Sequence, residues 1–114
     1  MKKIIETNWD ELWPIVNILN EICHGIKIES FEKKIGSDYE TIYILLKKIS
    51  SYEVEETDSH FPIKIELSDF EKEIIIRSFR ESLKQIEEWE YSTRIGISST
   101  EANRIIEKLI TTTE

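Results

Sequence analysis

The chain has 114 residues, of which 39% are hydrophobic and 33% are charged, and its formal net charge is −8. This length suits one domain, and the hydrophobic content is too high for a disordered chain. The acidic excess disfavours nucleic acid and anionic membranes as partners and favours a basic surface, while a single cysteine excludes an internal disulfide.

The first part of the chain predicts a short strand and a helix. We expect the strand near residues 3–6, and Thr7 with Asp10 predicts a capping box that opens the helix. Apolar residues then recur at helical spacing as far as Gly25, which we expect to end the helix. Pro14 lies in its second turn, where a proline is expected to kink or restart the helix.

A second helix and an acidic linker are expected next. Ser37 with Glu40 predicts the capping box of the helix, and its inner face would consist of Tyr39, Ile42, Leu45, Leu46 and Ile49. Residues 51–61 then form a polar linker, whose carboxylates are Glu53, Glu55, Glu56 and Asp58.

The second half of the chain predicts the same kinds of element. Residues 61–67 alternate between apolar and polar side chains, as in a half-buried strand. Ser68 with Glu71 predicts the start of a long helix, with Ile75, Ile76, Phe79, Leu83 and Ile86 on one face. Ser98 with Glu101 predicts a last helix, whose inward side chains would be Ala102, Ile105, Ile106 and Leu109.

The two halves align without a gap at a fixed offset. Ile35-Gly36 falls on Ile95-Gly96, an offset of 60 residues (96 − 36), and both glycines are expected at turns that need positive φ. An internal duplication is one explanation, and two unrelated helical hairpins with similar patterning are the other. We expect a predominantly helical α+β fold, a single domain over 1–114. It would contain two pseudo-repeated strand-helix-turn-helix units, about 3–49 and 63–109. Together with the residues that flank these units, the two repeats span about 3–50 and 62–110.

Acidic residues gather in two blocks that suggest a partner surface. The first lies at Glu53, Glu55, Glu56 and Asp58, and the second, Glu87, Glu88 and Glu90, surrounds Trp89. A run of charges can be only a solvated surface, but carboxylates beside an aromatic ring also suit docking of a basic protein. Trp13, at the edge of its helix's apolar face, is a further candidate contact. We therefore hypothesise a small acidic protein-binding module, such as an immunity or antitoxin-type inhibitor of a basic partner.

The segment Tyr91–Ile106 supports an alternative hypothesis. A short helix, the Gly96 turn, the Ser98 cap and a following helix resemble a helix-turn-helix DNA-binding regulator. The second of these helices carries Arg104, but also Glu101 and Glu107. Few lysines are near enough to contact phosphates, and the acidic net charge makes nucleic acid the less favoured partner.

The sequence predicts no enzyme, cofactor or metal site. His24 and His60 are the only histidines, and their spacing matches no metal or catalytic motif. Cys23 and His24 would point about 100° apart on a helix, so a nucleophilic pair is not expected. No apolar run approaches the roughly 18 residues of a membrane span, and acidic residues interrupt the N-terminal apolar stretch. We therefore expect a cytoplasmic protein.

Overall fold

The computed structural model describes residues 2–25 and 27–111, except for the side chains of Lys2 and Ile110. Residues 1, 26 and 112–114 of the predicted domain lie outside the described part. Within it, a strand and three α-helices are followed by a second strand and three more α-helices. Their bounds are β1 (Lys2–Thr7), α1 (Trp9–Asn20), α2 (Phe31–Ile35), α3 (Tyr39–Ser50), β2 (Ile63–Ser68), α4 (Asp69–Gln85), α5 (Glu88–Ile95) and α6 (Ser99–Thr111). The predicted α+β, predominantly helical fold is confirmed.

The two strands form one antiparallel sheet. β1 pairs with β2 along its whole length, with Ile5 directly opposite Ile65. Both side chains are buried on the inner face, whereas Ile4 is exposed on the outer face. The predicted half-buried strand is therefore confirmed, although it begins at Ile63. Pro62 has no N–H to donate to a neighbouring strand, so the residue after it is the first to pair.

The start of α1 differs from the prediction by one residue. Asn8, not Thr7, caps the helix, and its side chain accepts a hydrogen bond from the Glu11 backbone N–H at 3.0 Å. Thr7 is the last residue of β1, and its hydroxyl instead donates to the Glu11 carboxylate at 2.7 Å. The helix does not restart at Pro14, which is buried inside it.

The predicted ends of three other helical segments can be compared with the structure. A π-helical turn, Glu21–Gly25, extends α1, so the helical segment ends at Gly25 as predicted. Ser68 and Glu71 form the predicted capping box at the start of α4. Asp38 replaces the predicted Ser37 as the cap of α3, because its carboxylate accepts from the Thr41 N–H at 2.9 Å.

One hydrophobic core takes side chains from both halves of the chain. The prediction was wrong for Tyr39 and Leu83, which were placed on inner faces but are 47% and 41% exposed. Both lie at the edge of the buried arc of their helix. Tyr39 is about 60° around α3 from Ile42, and Leu83 is about 80° around α4 from Ile75, at 100° per residue.

Gly36 and Gly96 both have the positive φ that was predicted, at 94° and 100°. Each ends a helix in the left-handed conformation, Gly36 after α2 and Gly96 after α5. The Gly96 N–H donates to the Ser92 carbonyl at 2.9 Å, which closes the last turn of α5. This turn leads from α5, which carries one of the predicted acidic blocks, to α6.

Candidate partner-binding surface

Helix α5 is held to the rest of the fold at both ends. Near its start, the buried Tyr91 and Ser82 hydroxyls hydrogen bond to each other at 2.7 Å, which joins α5 to α4. Burial raises the pKa of Tyr91, so its phenol stays protonated. At the other end, the Asn17 amide donates to the Ile95 carbonyl at 2.8 Å, which joins α5 to α1. The exposed side of α5 is therefore held in a fixed position.

The first turn of α5 presents Trp89 among three carboxylates. Because Tyr91 and Ile95 are turned into the core, Trp89 points outward and is 78% exposed. Glu87 and Glu88 beside it are exposed, and Glu90 is half-buried. Glu88 also accepts a hydrogen bond from the Ser99 hydroxyl at 2.7 Å. The structure thus brings the second predicted block together with its aromatic ring, in what we call the α5 acidic turn (residues 87–90).

The first predicted block lies in the loop between α3 and β2. Its carboxylates, Glu53, Glu55, Glu56 and Asp58, line one open depression together with Val54. A short 3-10 turn, Glu56–Asp58, shapes the loop. Its end is tied to the start of α1, because the Asp10 N–H donates to the Ser59 carbonyl at 3.1 Å. The two blocks therefore lie on different elements, and each is a local cluster.

In the part of the chain that the structure describes, no carboxylate of either block forms an ion pair. Other acidic side chains do: Glu21 pairs with Arg94, and Glu73 pairs with Arg77 at 3.0 Å. The pairing of Arg94 is informative because Glu90 lies one helical turn before it on α5. Arg94 turns instead to Glu21 and the Gly25 carbonyl, so it forms no ion pair with the acidic turn.

Trp13 is half-buried and has a packing role. A Cβ atom built on Gly96 would lie 2.7 Å from Trp13 Cη2, so the ring lies directly against the glycine. Gly96 follows the last turn of α5, whereas Trp89 lies in its first turn. Seven residues separate them, about 10 Å along a helix axis. Trp89, which is 78% exposed, is therefore the more accessible of the two predicted tryptophans.

The structure also reveals an apolar surface that the sequence analysis missed. Tyr43 and Ile44 on α3 are 44% and 61% exposed, and Phe70 at the start of α4 is 52% exposed. Tyr39, which was predicted to be buried, continues this surface one turn before Tyr43. The missed signal was the run Ile42–Leu46, which carries more apolar residues than one helix face can bury.

In the DNA-binding alternative, α6 would be the helix that contacts the bases. The cations of α6 form ion pairs within the protein. Arg104 pairs with Glu101 on the same helix. Lys108 pairs with Glu11 on α1, at 2.9 Å. The exposed face of α6 also carries Glu107. The DNA-binding alternative stays a prediction, and the contacts of these two cations do not favour it.

Two ion pairs join the two halves of the chain. Lys48 on α3 contacts Glu71 on α4 at 3.0 Å, and Lys108 on α6 contacts Glu11 on α1 at 2.9 Å. Burial alone would raise the pKa of Glu71, but the Ser68 N–H and Lys48 outweigh it and hold that pKa below its ordinary value. Glu71 is therefore a stable carboxylate within the frame that carries the surfaces.

Cys23 is half-buried, and desolvation raises the pKa of its thiol, which keeps it protonated. Over residues 2–25 and 27–111, no three His, Cys, Asp or Glu side chains are grouped so that they could hold a metal ion. No helix within those ranges is long and apolar enough to cross a membrane.

The chain was also compared with protein families, curated proteins and solved structures. No family model, curated protein or solved structure matches it.

Proposed function

We propose that this protein is a small acidic protein-binding module that docks on a basic partner through the α5 acidic turn, as an immunity or antitoxin-type inhibitor would. The observation that carries the proposal is the exposed ring of Trp89 among Glu87, Glu88 and Glu90. Interface hot spots are enriched in tryptophan, and unpaired carboxylates around the ring would attract a cationic surface.

The state of the carboxylates supports electrostatic steering. Charges already paired within a protein contribute little to its attraction for a partner, but those of the two acidic blocks have no cationic partner among the described residues. With a net charge of −8, the whole molecule adds a field of the same sign. Because α5 is anchored through Tyr91 and Ile95, the backbone that carries Trp89 would lose little conformational freedom on binding.

The proposal is tested by co-expressing the chain with basic proteins encoded beside its gene. We expect a stable 1:1 complex with one of them, measured by light scattering after gel filtration. Reversing Glu87 and Glu88 to Lys should slow association and flatten its dependence on salt. Trp89→Ala should instead speed dissociation, at a cost of about 2 kcal/mol or more in binding free energy.

A matched variant separates the two acidic blocks. Reversing Glu53, Glu55 and Glu56 to Lys changes the charge of the loop and leaves α5 intact. If the loop contributes only to the long-range field, association should slow without any change in dissociation. A complex whose association rate is insensitive to salt and to both sets of reversals would overturn the proposal.

We also propose that the two halves are pseudo-repeats related by a two-fold axis through the Ile5–Ile65 pair. Several features support this: these isoleucines are themselves equivalent at the 60-residue offset (65 − 5), and they lie opposite each other in the sheet. α1 starts at Trp9 and α4 at Asp69, again 60 apart (69 − 9). The Lys48–Glu71 and Lys108–Glu11 pairs exchange under the same offset.

A further inference from the structure

The exposed apolar side chains of α3 and α4 meet at a groove. Ile44 and Leu45 line it from α3, and Phe70 and Ile74 line it from α4. The Lys48–Glu71 ion pair lies in the same groove, so its charges are already compensated. The groove has a volume of about 260 Å³. Small-molecule sites usually enclose about 300–1,000 Å³, so this open groove better suits one or two side chains of a protein partner.

The second half of the chain acts as an internal comparison for this surface. At the 60-residue offset, Tyr39, Tyr43 and Ile44 correspond to Ser99, Asn103 and Arg104, and Phe70 corresponds to Asp10. Polar residues therefore occupy the equivalent places on α6 and α1. If the halves share one architecture, the fold does not require exposed apolar side chains on α3. Contiguous exposed apolar surface that the fold does not require is typical of a protein-binding site.

The charge beside the groove indicates what that partner carries. The start of α3 exposes Asp38 and Glu40, where the offset places the uncharged Ser98 and Thr100. The Tyr43 ring already has a cation near its face, since Lys47 Nζ lies 5.8 Å from the ring centroid. With Lys47 already there and Tyr39 stacked on Phe31, the exposed carboxylates are the groups left to attract lysine or arginine side chains of a partner.

We propose that the α3–α4 groove binds an amphipathic basic segment of a protein partner. An apolar side chain of that segment enters between Ile44 and Phe70, and its cations contact Asp38 and Glu40. That the partner is basic rests on the proposed function. The groove itself is a surface separate from the α5 acidic turn. Helices that lay an apolar face into a groove are a common mode of peptide recognition.

Three synthetic helical peptides test the assignment with the full-length, ¹⁵N-labelled chain. The first has leucines on one face and arginines on the other. The second replaces the arginines by glutamates, and the third replaces the leucines by serines. We expect the first peptide to shift the backbone amide signals of residues 39–48 and 70–74, and the other two to bind at least about tenfold more weakly.

Variants taken from the internal comparison locate the binding. Ile44→Arg with Phe70→Asp introduces the residues found at the equivalent positions, and should weaken binding of the first peptide at least about tenfold. Asn103→Ala, at the position equivalent to Tyr43, is the matched control and should leave the affinity unchanged. Because all three side chains are exposed, equal melting temperatures would show that the fold is intact.

Other outcomes would overturn the inference in distinguishable ways. Amide signal shifts confined to residues 87–90, and abolished by Trp89→Ala, would refute binding at the groove and agree with the proposed function. Absence of shifts at both surfaces would count against both proposals. A dimer of the free chain that Ile44→Arg converts to a monomer, seen by light scattering, would show that a second copy covers the groove.

Discussion

Gly96 is subject to two separate constraints, whereas Gly36 is subject to one. Both glycines have a φ that side chains rarely adopt. At Gly36, a Cβ atom would meet the end of the flexible Arg77 side chain at 3.1 Å, and that side chain can move. At Gly96, it would overlap the ring of Trp13, which is packed beneath the turn. We therefore expect the Gly36 and Gly96 turns to differ in how well they tolerate substitution.

The two glycine-to-alanine variants make a matched pair. We expect Gly36→Ala to cost about 1–2 kcal/mol in the free energy of unfolding, because of the left-handed backbone alone. Gly96→Ala should cost about 1–3 kcal/mol more, because the new methyl group must displace the Trp13 ring. Urea denaturation of both variants measures the difference. Equal losses would show that the ring moves aside freely.

Glu71 is predicted to make stability depend on pH. Its pKa in the folded protein lies below its ordinary value of 4.5, so its stabilising contribution is present above that value and is lost as the pH falls through the folded pKa. We therefore expect the difference in unfolding free energy between the natural chain and Glu71→Gln to shrink as the pH falls from 6 to 3. Chemical denaturation across that range measures it, and a constant difference would contradict the assignment.

At the scale of single elements, a buried hydroxyl pair joins α5 to α4. Ser82 also contacts the Phe79 carbonyl at 2.5 Å, so removing the Tyr91 hydroxyl does not leave Ser82 without a partner. We expect Tyr91→Phe to lower the unfolding free energy by about 1 kcal/mol. Amide hydrogen exchange in α5 should rise more than in α3. Uniform exchange would show that this pair does not hold α5.

The elements themselves were largely predictable because the chain marks them with local signals. Ser68 and Glu71 make every contact of the predicted capping box. The prediction missed by one residue at Asn8 and Asp38, because each is preceded by a residue that can also cap a helix. At Thr7, pairing with Ile63 in the sheet decided the boundary, and that contact is invisible in local sequence.

Contacts between distant residues account for what the sequence did not predict about the candidate surface. Trp89 could be predicted to be available, because Tyr91 and Ile95 are apolar and define the inner side of α5. Trp13 could not be assigned, since its position depends on Gly96, which is far along the chain. The α3–α4 groove was missed for the same reason. Phe70 and Ile44 come together only when the two halves pack.

At the scale of the whole molecule, the proposed two-fold axis makes a quantitative prediction. Double-mutant cycles on Lys48–Glu71 and on Lys108–Glu11 should give coupling energies of about 0.3–1 kcal/mol each. They should agree within about 0.5 kcal/mol, with the Lys108 pair the weaker because its lysine is more exposed. Thermal or urea denaturation of the single and double variants provides the values. A coupling in one pair and none in the other would contradict equivalent geometry.

The pairing of β1 with β2 has a consequence for how the chain could be divided. Each strand finds its only backbone partner in the described part of the chain on the other side of loop 51–61, and the core is likewise shared. A cut in that exposed loop would break no strand or α-helix. It would, however, leave each fragment with an unpaired strand and half of an apolar core. The two fragments should therefore be unfolded alone and assemble when mixed, so that this single chain could work as a split, reconstituting pair.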